Sequence, residues 1–490
     1  MLFFRRLKEA NLIRRLRAAH PLGFFNTLGG SLQPFTPLSG RNVRMYNCGP
    51  TVYDFQHIGN LRPYVFADTL RRALRFHGFK TEQVINITDV GHLVSDADEG
   101  EDKIEMGAKR EGTSVKEMVD RVTDAFFADL DALGIDRGAI RFPRATDYIG
   151  EQIALVKTLE EKGYTYALPD GIYFDTSRFK EYGKLGAIDL EGLREGARIG
   201  TVEGKKHLTD FALWKLSQPE DNRLQEWDSP WGKGFPGWHL ECTAMVFNLL
   251  GRQIDIHTGG IDHIPVHHNN EIAQAESITR KEYSRFWMHN AFLTIEGKKI
   301  SKSLHNTVYL HNIKDRGFSP LSLRYLFLTA HYRSPMNFTW ESLEGADSAY
   351  RRVVRFFFEE LPPSSGYVDE RFADSLAEAL SDDLNTPKII ALLWDLMKDD
   401  SIPKSTKRAS MLFADDVLGL GLKQKSSAES AKVRVILARD LPEDVKELVD
   451  RREEARSQKQ YEEADALRRS LESLGYTVTD TPEGPSVRKK

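Results

Sequence analysis

Periodic apolar positions predict a strand–helix–strand unit near the start of the chain. Residues 42–47 (NVRMYN) and 81–88 (TEQVINIT) each have the apolar pattern of a short buried strand. Segment 62–78 between them predicts a helix, because Pro63 suits its first turn and Gly78 its C-terminal cap. One face of this helix is apolar: Phe66, Leu70, Ala73 and Leu74. Its other faces carry arginines: Arg71, Arg72 and Arg75.

The rest of the pattern predicts an interrupted parallel sheet followed by helices. Residues 103–134 have helical periodicity, and 252–260 (RQIDIHTGG) predict a buried strand that returns to the sheet. Region 150–235 holds short mixed elements and turn signals, which are typical of an insertion. Residues 289–306 predict two strands that end in a basic loop, and helical periodicity dominates after residue 345. The predicted fold class is α/β, because strands that alternate with helices form Rossmann-like parallel sheets.

Composition narrows the classes of protein to which the chain can belong. Its 490 residues exceed what one hydrophobic core supports, so several domains are expected. Two cysteines cannot form a disulfide framework, which favours a reducing, cytoplasmic compartment. No stretch has the roughly 18–20 apolar residues of a membrane span. The net charge of −4 means that a nucleic-acid partner must bind local basic surface. The basic residues 1–23 lack a secretory apolar core, which favours a helical extension or an early start over an organelle address.

Four residues from three distant segments have the chemistry of zinc ligands. His267 and Glu271 in HHNNE are four apart, which places both on one face of a helix. Cys48 and Cys242 add two sulfurs, and thiolate, imidazole and carboxylate all bind zinc well. The dispersal differs from that of a zinc finger. Spacing alone leaves a second interpretation open, in which both cysteines are buried small hydrophobes and the His/Glu pair is a surface contact.

Two further segments suit phosphate. The stretch QHIGN (56–60) precedes a predicted helix, whose N-terminal N–H groups attract anions. The stretch KKISKS (298–303) packs three lysines into six residues, and such lysines can neutralise a triphosphate as charge develops. Taken singly, the first segment is more typical of a turn with a surface histidine, and the second of a solvated basic loop.

Taken in order along the chain, these segments resemble the cysteinyl-tRNA synthetases, a family of class I aminoacyl-tRNA synthetases. CGPTVYDFQHIGN is similar to the family's cysteine and first signature, NITDV to a strand end at its amino-acid pocket, and KISKS to its lysine loop. GWHLECTAM and TGGIDHIPVHHNNEIAQ resemble the segments that carry the second cysteine and the His/Glu ligands. The tail YEEADALRRSLESLGYTVTDTPEGPSVRK resembles the C-terminal anticodon module. The resemblance runs from about residue 24 to the C-terminus.

The resemblance implies a set of site residues. One zinc ion per chain is expected at Cys48, Cys242, His267 and Glu271. The cysteine pocket is expected at Gly49, Thr88, Trp238 and His267. ATP, with Mg²⁺, is expected to contact Pro50, Thr51, His57, Gly59, Asn60, Asp262 and Lys302. The residues expected to act in catalysis are His57, Asn60, Lys299 and Lys302.

Three departures from the family pattern stand out. Asn60 replaces the second histidine of the first signature, and an amide donates a hydrogen bond but carries no charge. Asn269 replaces a glutamate inside HHNNE, although Glu271 remains. Residues 91–101 form an acidic insertion after NITDV, for which the sequence gives no role.

The resemblance also implies substrates and a reaction. L-cysteine is activated with ATP to cysteinyl-adenylate and transferred to tRNA(Cys), and the zinc ion selects the substrate by binding its thiolate. Metal coordination deprotonates a thiol far more readily than a serine hydroxyl, so no editing is needed. Two alternatives remain: a ligase that joins cysteine to an amino sugar, as in mycothiol synthesis, and a non-catalytic zinc- and RNA-binding relative. The tail 431–490 argues against the first, and intact KISKS against the second.

The expected organisation is a cytoplasmic monomer of seven regions. They are a basic extension (1–23), two catalytic halves (24–150 and 236–310), an insertion between them (151–235), a stem-contact region (311–345), a helical bundle (346–425) and an anticodon-binding module (431–490).

Overall fold

The computed structural model describes most of the chain. The described residues are 2–90, 102–187, 204–218, 223–301, 304–364, 366–424, 434–436, 441–458, 460–481 and 484–489. The acidic insertion 91–101 and Lys302 of the lysine loop lie outside these ranges.

The described residues form helices and strands in the mixed order that the sequence predicts. The strands are β1 Gly23–Asn26, β2 Ser31–Pro34, β3 Asn42–Asn47, β4 Lys80–Ile85, β5 Ile140–Arg141, β6 Thr165–Leu168, β7 Gly171–Phe174, β8 Phe211–Leu216, β9 Gly234–Pro236, β10 Ile254–Gly260, β11 Ser284–Asn290, β12 Leu293–Ile295, β13 Lys298–Lys299, β14 Met336–Phe338, β15 Arg434–Ile436, β16 Tyr476–Thr481 and β17 Gly484–Lys489. The helices are α1 Leu2–Ala19, α2 Ile58–Phe76, α3 Lys103–Glu111, α4 Val115–Ala132, α5 Ile149–Glu161, α6 Trp238–Leu249, α7 Asn269–Thr279, α8 Leu310–Asp315, α9 Pro320–Leu328, α10 Trp340–Arg355, α11 Glu370–Ser381, α12 Thr386–Lys398, α13 Lys404–Leu418, α14 Glu443–Ser457 and α15 Tyr461–Ser473.

A parallel sheet of five strands forms the centre of the fold, in the order β11-β10-β3-β4-β5. Met45 of β3 pairs with Ile256 of β10 on one side and with Gln83 of β4 on the other. The carboxyl ends of β3, β4 and β10 therefore meet at one edge, where ligands bind in open parallel sheets. The prediction of a Rossmann-like parallel sheet is confirmed.

Helix α2 begins four residues earlier than its apolar pattern predicts. His57 caps it, because its Nδ1 accepts a hydrogen bond from the backbone N–H of Asn60. Pro63 is the sixth residue of the helix and not its first. The predicted face is buried, but so are Arg62 and Arg71, which the pattern does not predict.

The insertion between the two halves of the central sheet is an antiparallel sheet in the order β6-β7-β8-β9. Its inner face carries Phe174, Phe211 and Trp214, which pack in one apolar cluster with Leu240 of α6. The insertion thereby shares a core with the helix that carries Cys242.

Helices α10 to α13 follow one another between residues 340 and 418, as the helical periodicity after residue 345 predicts. Helices α10 to α13 belong to the same apolar cluster as α2 and the central sheet. Arg324 of α9 lies at the joint, fully buried, with its Nη2 2.7 Å from Asp68 Oδ2 in α2. Helices α14 and α15 pack against a three-stranded sheet in the order β15-β17-β16, with a separate small core.

The N-terminal helix α1 packs on the helical region. Leu16 is fully buried, Arg15 pairs with Glu370 at 2.8 Å, and Arg17 donates to the carbonyl of Phe76 at 2.7 Å. Among the described residues, no helix is both long and apolar enough to cross a lipid bilayer.

Candidate metal centre and active site

The four residues that the sequence proposes as zinc ligands converge on one point. Cys48 follows strand β3, Cys242 lies in α6, His267 lies in the turn just before α7, and Glu271 lies in the first turn of α7. One donor atom from each lies within 4.8 Å of the others. A π-helical turn, Ile264–His268, sets the entry to α7, and such turns are frequent at functional sites. Three of the four residues are buried and Cys48 is half-buried, so the surface interpretation of the His/Glu pair is wrong.

A second histidine pair lines the same cluster. His257 of β10 and His268 of the π-helical turn also lie within 4.8 Å of Cys48 and Glu271. His257 Nε2 lies 2.9 Å from Glu271 Oε2, and Tyr283 donates to the same oxygen at 3.3 Å. These contacts leave Oε1 of Glu271 facing His267 Nε2, 3.1 Å away. Such outer contacts orient a ligating carboxylate.

Sequence reasoning missed this outer layer of histidines. His268 Nε2 lies 3.3 Å from Cys48 Sγ, and its Nδ1 lies 2.8 Å from His289 Nε2. The chain of contacts ends at Thr27 Oγ1, 2.7 Å from His289 Nδ1. The signal was a histidine inside the apolar strand IDIHTGG and the doubled histidine of HHNNE, because a polar residue inside a buried strand needs a partner.

The charges in the cluster are those of a cation-binding site. Burial alone would raise the pKa of Glu271, but His257 and His267 outweigh it and lower that pKa to about 2. Burial also opposes ionisation of Cys242, yet hydrogen bonds from Cys48 and His267 lower its pKa to about 6. At neutral pH the cluster therefore holds a buried carboxylate beside a buried thiolate.

The donor set fits a zinc ion. Burial would lower the pKa of His267, but hydrogen bonds to Cys242 and Glu271 raise it to about 10. The imidazole therefore lies where positive charge is strongly stabilised, and a divalent cation can replace the proton held there. Two sulfurs, one imidazole nitrogen and one carboxylate oxygen are ligands of the kind that tetrahedral zinc sites use.

The residues of the expected amino-acid pocket surround this cluster. The ring of Trp238 lies against that of His267, with centroids 4.5 Å apart. Thr88 donates to Glu241 Oε2 at 2.8 Å. Burial, followed by the charge of Cys242, raises the pKa of Glu241. Gly49 has no room for a side chain, because a Cβ there would lie 1.6 Å from the carbonyl oxygen of Asn86.

The first signature borders the same edge of the sheet. The backbone N–H of Thr88 donates to the carbonyl of Pro50 at 3.0 Å, and Thr51 pairs with Thr88 as an isolated bridge. Burial lowers the pKa of His57 to about 4, so its ring is neutral at physiological pH. Because Nδ1 accepts from the N–H of Asn60, the proton lies on Nε2, which is a donor. The Asn60 side chain is exposed at the mouth of the site.

The two signature segments touch each other. A Cβ on Gly59 would lie 2.7 Å from Cδ1 of Ile300, so a larger residue here would have to displace the end of that side chain. Lys299 ends β13 and is exposed, and the exposed Asp262 follows β10 in a single 3₁₀ turn. Lys302, the other expected loop lysine, lies outside the described residues.

Comparison with known proteins gives the family. Residues 34–348 match the model described as "tRNA synthetases class I (C) catalytic domain", and 438–488 match the "Cysteinyl-tRNA ligase anticodon binding domain". The "Cysteine--tRNA ligase 1" of Burkholderia lata is 47% identical over 465 residues, which cover 95% of this chain and 96% of that protein. The chain belongs to the cysteinyl-tRNA ligase family.

Other comparisons agree with this membership. The "Cysteine--tRNA ligase" of Treponema denticola is 40% identical, covering 94% of this chain and 98% of that one. The methionyl-tRNA synthetase of Mycobacterium tuberculosis in complex with methionyl-adenylate superposes with a TM-score of 0.52. That pair is 14% identical, covering 80% of this chain and 92% of that chain, so it supports the fold alone. As a member of the cysteinyl-tRNA ligase family, the chain is a ligase that uses an amino acid, ATP and a tRNA.

Proposed function

We propose that this chain activates L-cysteine with ATP and transfers it to tRNA(Cys), and that it selects cysteine at a zinc centre. The observation that carries the proposal is the convergence of Cys48, Cys242, His267 and Glu271 within 4.8 Å at the edge of the parallel sheet. One zinc ion held there would offer a binding position for the thiolate of the substrate. Selection by a thiol explains how cysteine is separated from serine, which an apolar pocket rejects only weakly.

The pocket residues orient the rest of the amino acid. Trp238 stacks against His267 and closes one side of the pocket. Thr88, held by its hydrogen bond to Glu241, and Gly49, which packs tightly against the backbone of Asn86, complete the pocket.

In the first step the cysteine carboxylate attacks the α-phosphorus of ATP and the bond to pyrophosphate breaks. Negative charge grows on the phosphate oxygens, and preorganised donors stabilise it. His57 supplies a neutral Nε2–H donor beside the start of α2, and Asn60 adds an amide donor. Lys299 and Lys302 supply positive charge from the loop that Ile300 packs against Gly59. The backbone of Pro50 and Thr51, together with Asp262, binds the nucleotide, which carries Mg²⁺.

In the second step a terminal ribose hydroxyl of the tRNA attacks the carbonyl carbon, AMP leaves, and the hydroxyl proton is released. The division of the chain into an extension, two catalytic halves with an insertion, a stem-contact region, a helical bundle and an anticodon module is part of this proposal. The match of 438–488 to an anticodon-binding domain supports the last assignment. We also propose that the protein is a cytoplasmic monomer, consistent with its two unbridged cysteines.

The test is cysteine-dependent exchange of pyrophosphate into ATP, followed by charging of tRNA(Cys). Wild type is expected to catalyse both, with one zinc ion per chain. Cys242→Ser is expected to lose zinc and exchange together. Thr243→Val is the matched control, because this neighbouring side chain is equally buried and its hydroxyl has no hydrogen-bond partner among the described residues.

The same assay separates the alternatives. Exchange without tRNA charging would favour a ligase that uses an amino sugar as acceptor. Absence of exchange in the zinc-loaded wild type would favour a non-catalytic relative. Exchange that is retained by zinc-free Cys242→Ser would refute selection of cysteine by the metal.

A further inference from the structure

We propose that Arg62 is a positioning residue that fixes the first signature helix against the strand leading to the lysine loop. The proposal rests on the proposed function, because it assigns Arg62 a task in ATP activation. Arg62 lies on α2, five residues after His57, and its side chain is buried with 2% of its surface exposed.

The guanidinium of Arg62 binds four carbonyl oxygens from two separate segments. Nη1 donates to Ala291 at 3.0 Å and to Phe292 at 3.3 Å. Nη2 donates to His331 at 3.1 Å and to Ser334 at 2.9 Å. The planar fork of arginine presents its two nitrogens in fixed directions, so a single side chain sets the distance between the segments.

No carboxylate pairs with Arg62 among the residues that the structure describes. Burial alone lowers the pKa of Arg62, to about 10. Burying a guanidinium that has only carbonyl partners costs desolvation free energy. A neutral side chain could hold the two segments together without that cost. Among the described residues, the charge of Arg62 is therefore met by carbonyl dipoles alone.

The two segments bound by Arg62 connect to the lysine loop and to the helical region. Ala291 and Phe292 immediately precede β12, which pairs with β13 and so carries the lysine loop. The segment 331–334 is fixed to the helical region by Asp383, which accepts from Tyr332 at 2.7 Å and from Arg333 at 2.6 Å. Arg62 therefore joins α2 to the strand of the second signature and to a turn that the helical region holds.

This geometry predicts a kinetic effect with a defined direction. The lysine loop contacts the first signature where Ile300 meets Gly59, so a shift of β12 relative to α2 changes the alignment of both signatures on ATP. A displacement of about 1 Å at a reacting group costs up to about a hundredfold in rate. The cysteine pocket includes α6 and the segments that follow β3 and β4, and the four hydrogen bonds of Arg62 do not reach these segments.

The test compares Arg62→Lys with Arg324→Lys. Lysine keeps the charge, but its single nitrogen cannot serve both ends of the fork. Arg324 is the control, because it is equally buried and binds the carbonyls of Leu418 and Leu133; it also pairs with Asp68 of α2, and so joins α2 to the helical region. In cysteine-dependent pyrophosphate exchange, Arg62→Lys is expected to lower kcat at least about tenfold. Its zinc content and its KM for cysteine are expected to stay those of wild type. Arg324→Lys is expected to lower Tm without the fall in kcat.

Each outcome decides the proposal. Equal kcat values for Arg62→Lys and wild type would overturn it, and so would a parallel loss of zinc, Tm and activity in both lysine variants. A wild type without any exchange would instead overturn the proposed function. If Arg62→Lys does not fold, Arg62→Ala assayed with added guanidinium ion replaces it: restored kcat supports the fork as the active feature, and no restoration contradicts it.

Discussion

Replacing Asp68 by asparagine is predicted to weaken the joint between the sheet and the helical region. Asp68 lies in the middle of α2, with its carboxylate fully buried. It accepts hydrogen bonds from three guanidinium groups: Arg71 at 2.5 Å, Arg72 at 2.7 Å and Arg324 at 2.7 Å. Asparagine has nearly the same shape but no charge, so the variant leaves three cations around a neutral amide.

The pKa of Asp68 gives the magnitude. Burial alone would raise it, but Arg324, Arg72 and Arg71 outweigh burial and lower it from 3.8 to about 2. That difference corresponds to about 2 kcal/mol of stability at neutral pH, at roughly 1.4 kcal/mol per pKa unit. Loss of one partner from a buried ionic group costs about 3–5 kcal/mol, since the remaining charges are then uncompensated.

Thermal unfolding measures the effect. At about 2 °C per kcal/mol, the expected fall in Tm is roughly 6–10 °C. Asp131→Asn is the matched control, because Asp131 binds Arg137 through both oxygens at 2.7 Å but is exposed. An exposed pair contributes about 0–1 kcal/mol, so the control Tm is expected to fall by no more than roughly 2 °C. Similar Tm values for the two variants would refute the reasoning that the buried cluster holds the joint.

Further predictions concern acid stability, the metal centre and Asp383. Because the pKa of Asp68 is lower in the folded state, the contribution of this carboxylate to stability is present above about pH 4 and is lost toward pH 2. The difference in Tm between wild type and Asp68→Asn should therefore narrow as the pH falls over that interval. A constant difference would contradict this. Glu271→Gln should weaken zinc binding at least about tenfold, measured by chelator competition, whereas Glu276→Gln on the same helix should not; equal affinities would contradict the ligand assignment. Chelation should abolish cysteine-dependent pyrophosphate exchange and added zinc should restore it, and exchange that survives chelation would contradict a role for the metal. Asp383→Ala should lower the free energy of unfolding in urea by about 2–4 kcal/mol. The substitution removes the hydrogen-bond acceptor for Phe25, Tyr332 and Arg333, and it leaves a non-glycine residue at φ +52°. A change below about 1 kcal/mol would contradict this.

The central sheet and its order of elements could be predicted because apolar periodicity is a local property. Strand β3 occupies the predicted range 42–47, and β10 lies within 252–260. The start of α2 was not predictable in this way, because the cap at His57 depends on one side-chain contact and not on periodicity. The burial of Arg71 was missed for a related reason. An arginine is placed on the surface by pattern, and only the folded structure shows that Arg71 is buried, paired with the buried Asp68 on the same helix.

The candidate site was predictable from residue types and their order, but its outer contacts were not. Cys48 and Cys242 lie 194 positions apart; donor chemistry made them candidates for one metal site, and the resemblance to a family favoured that interpretation over two buried, unrelated cysteines. His257 contacts Glu271 and His268 contacts Cys48, and these contacts orient the two expected ligands. Contacts of about 3 Å between distant residues cannot be predicted from spacing along the sequence. Arg62 is invisible for the same reason, since its partners are backbone carbonyls.

The most direct measurement is zinc K-edge X-ray absorption of the purified protein with and without L-cysteine. Cys48 and Cys242 predict two sulfur neighbours at about 2.3 Å in the free protein. Binding of L-cysteine should add a third sulfur, whereas L-serine should leave the spectrum unchanged. A count of two sulfurs that does not change with saturating cysteine would contradict the claim that the metal centre selects the substrate by its thiol.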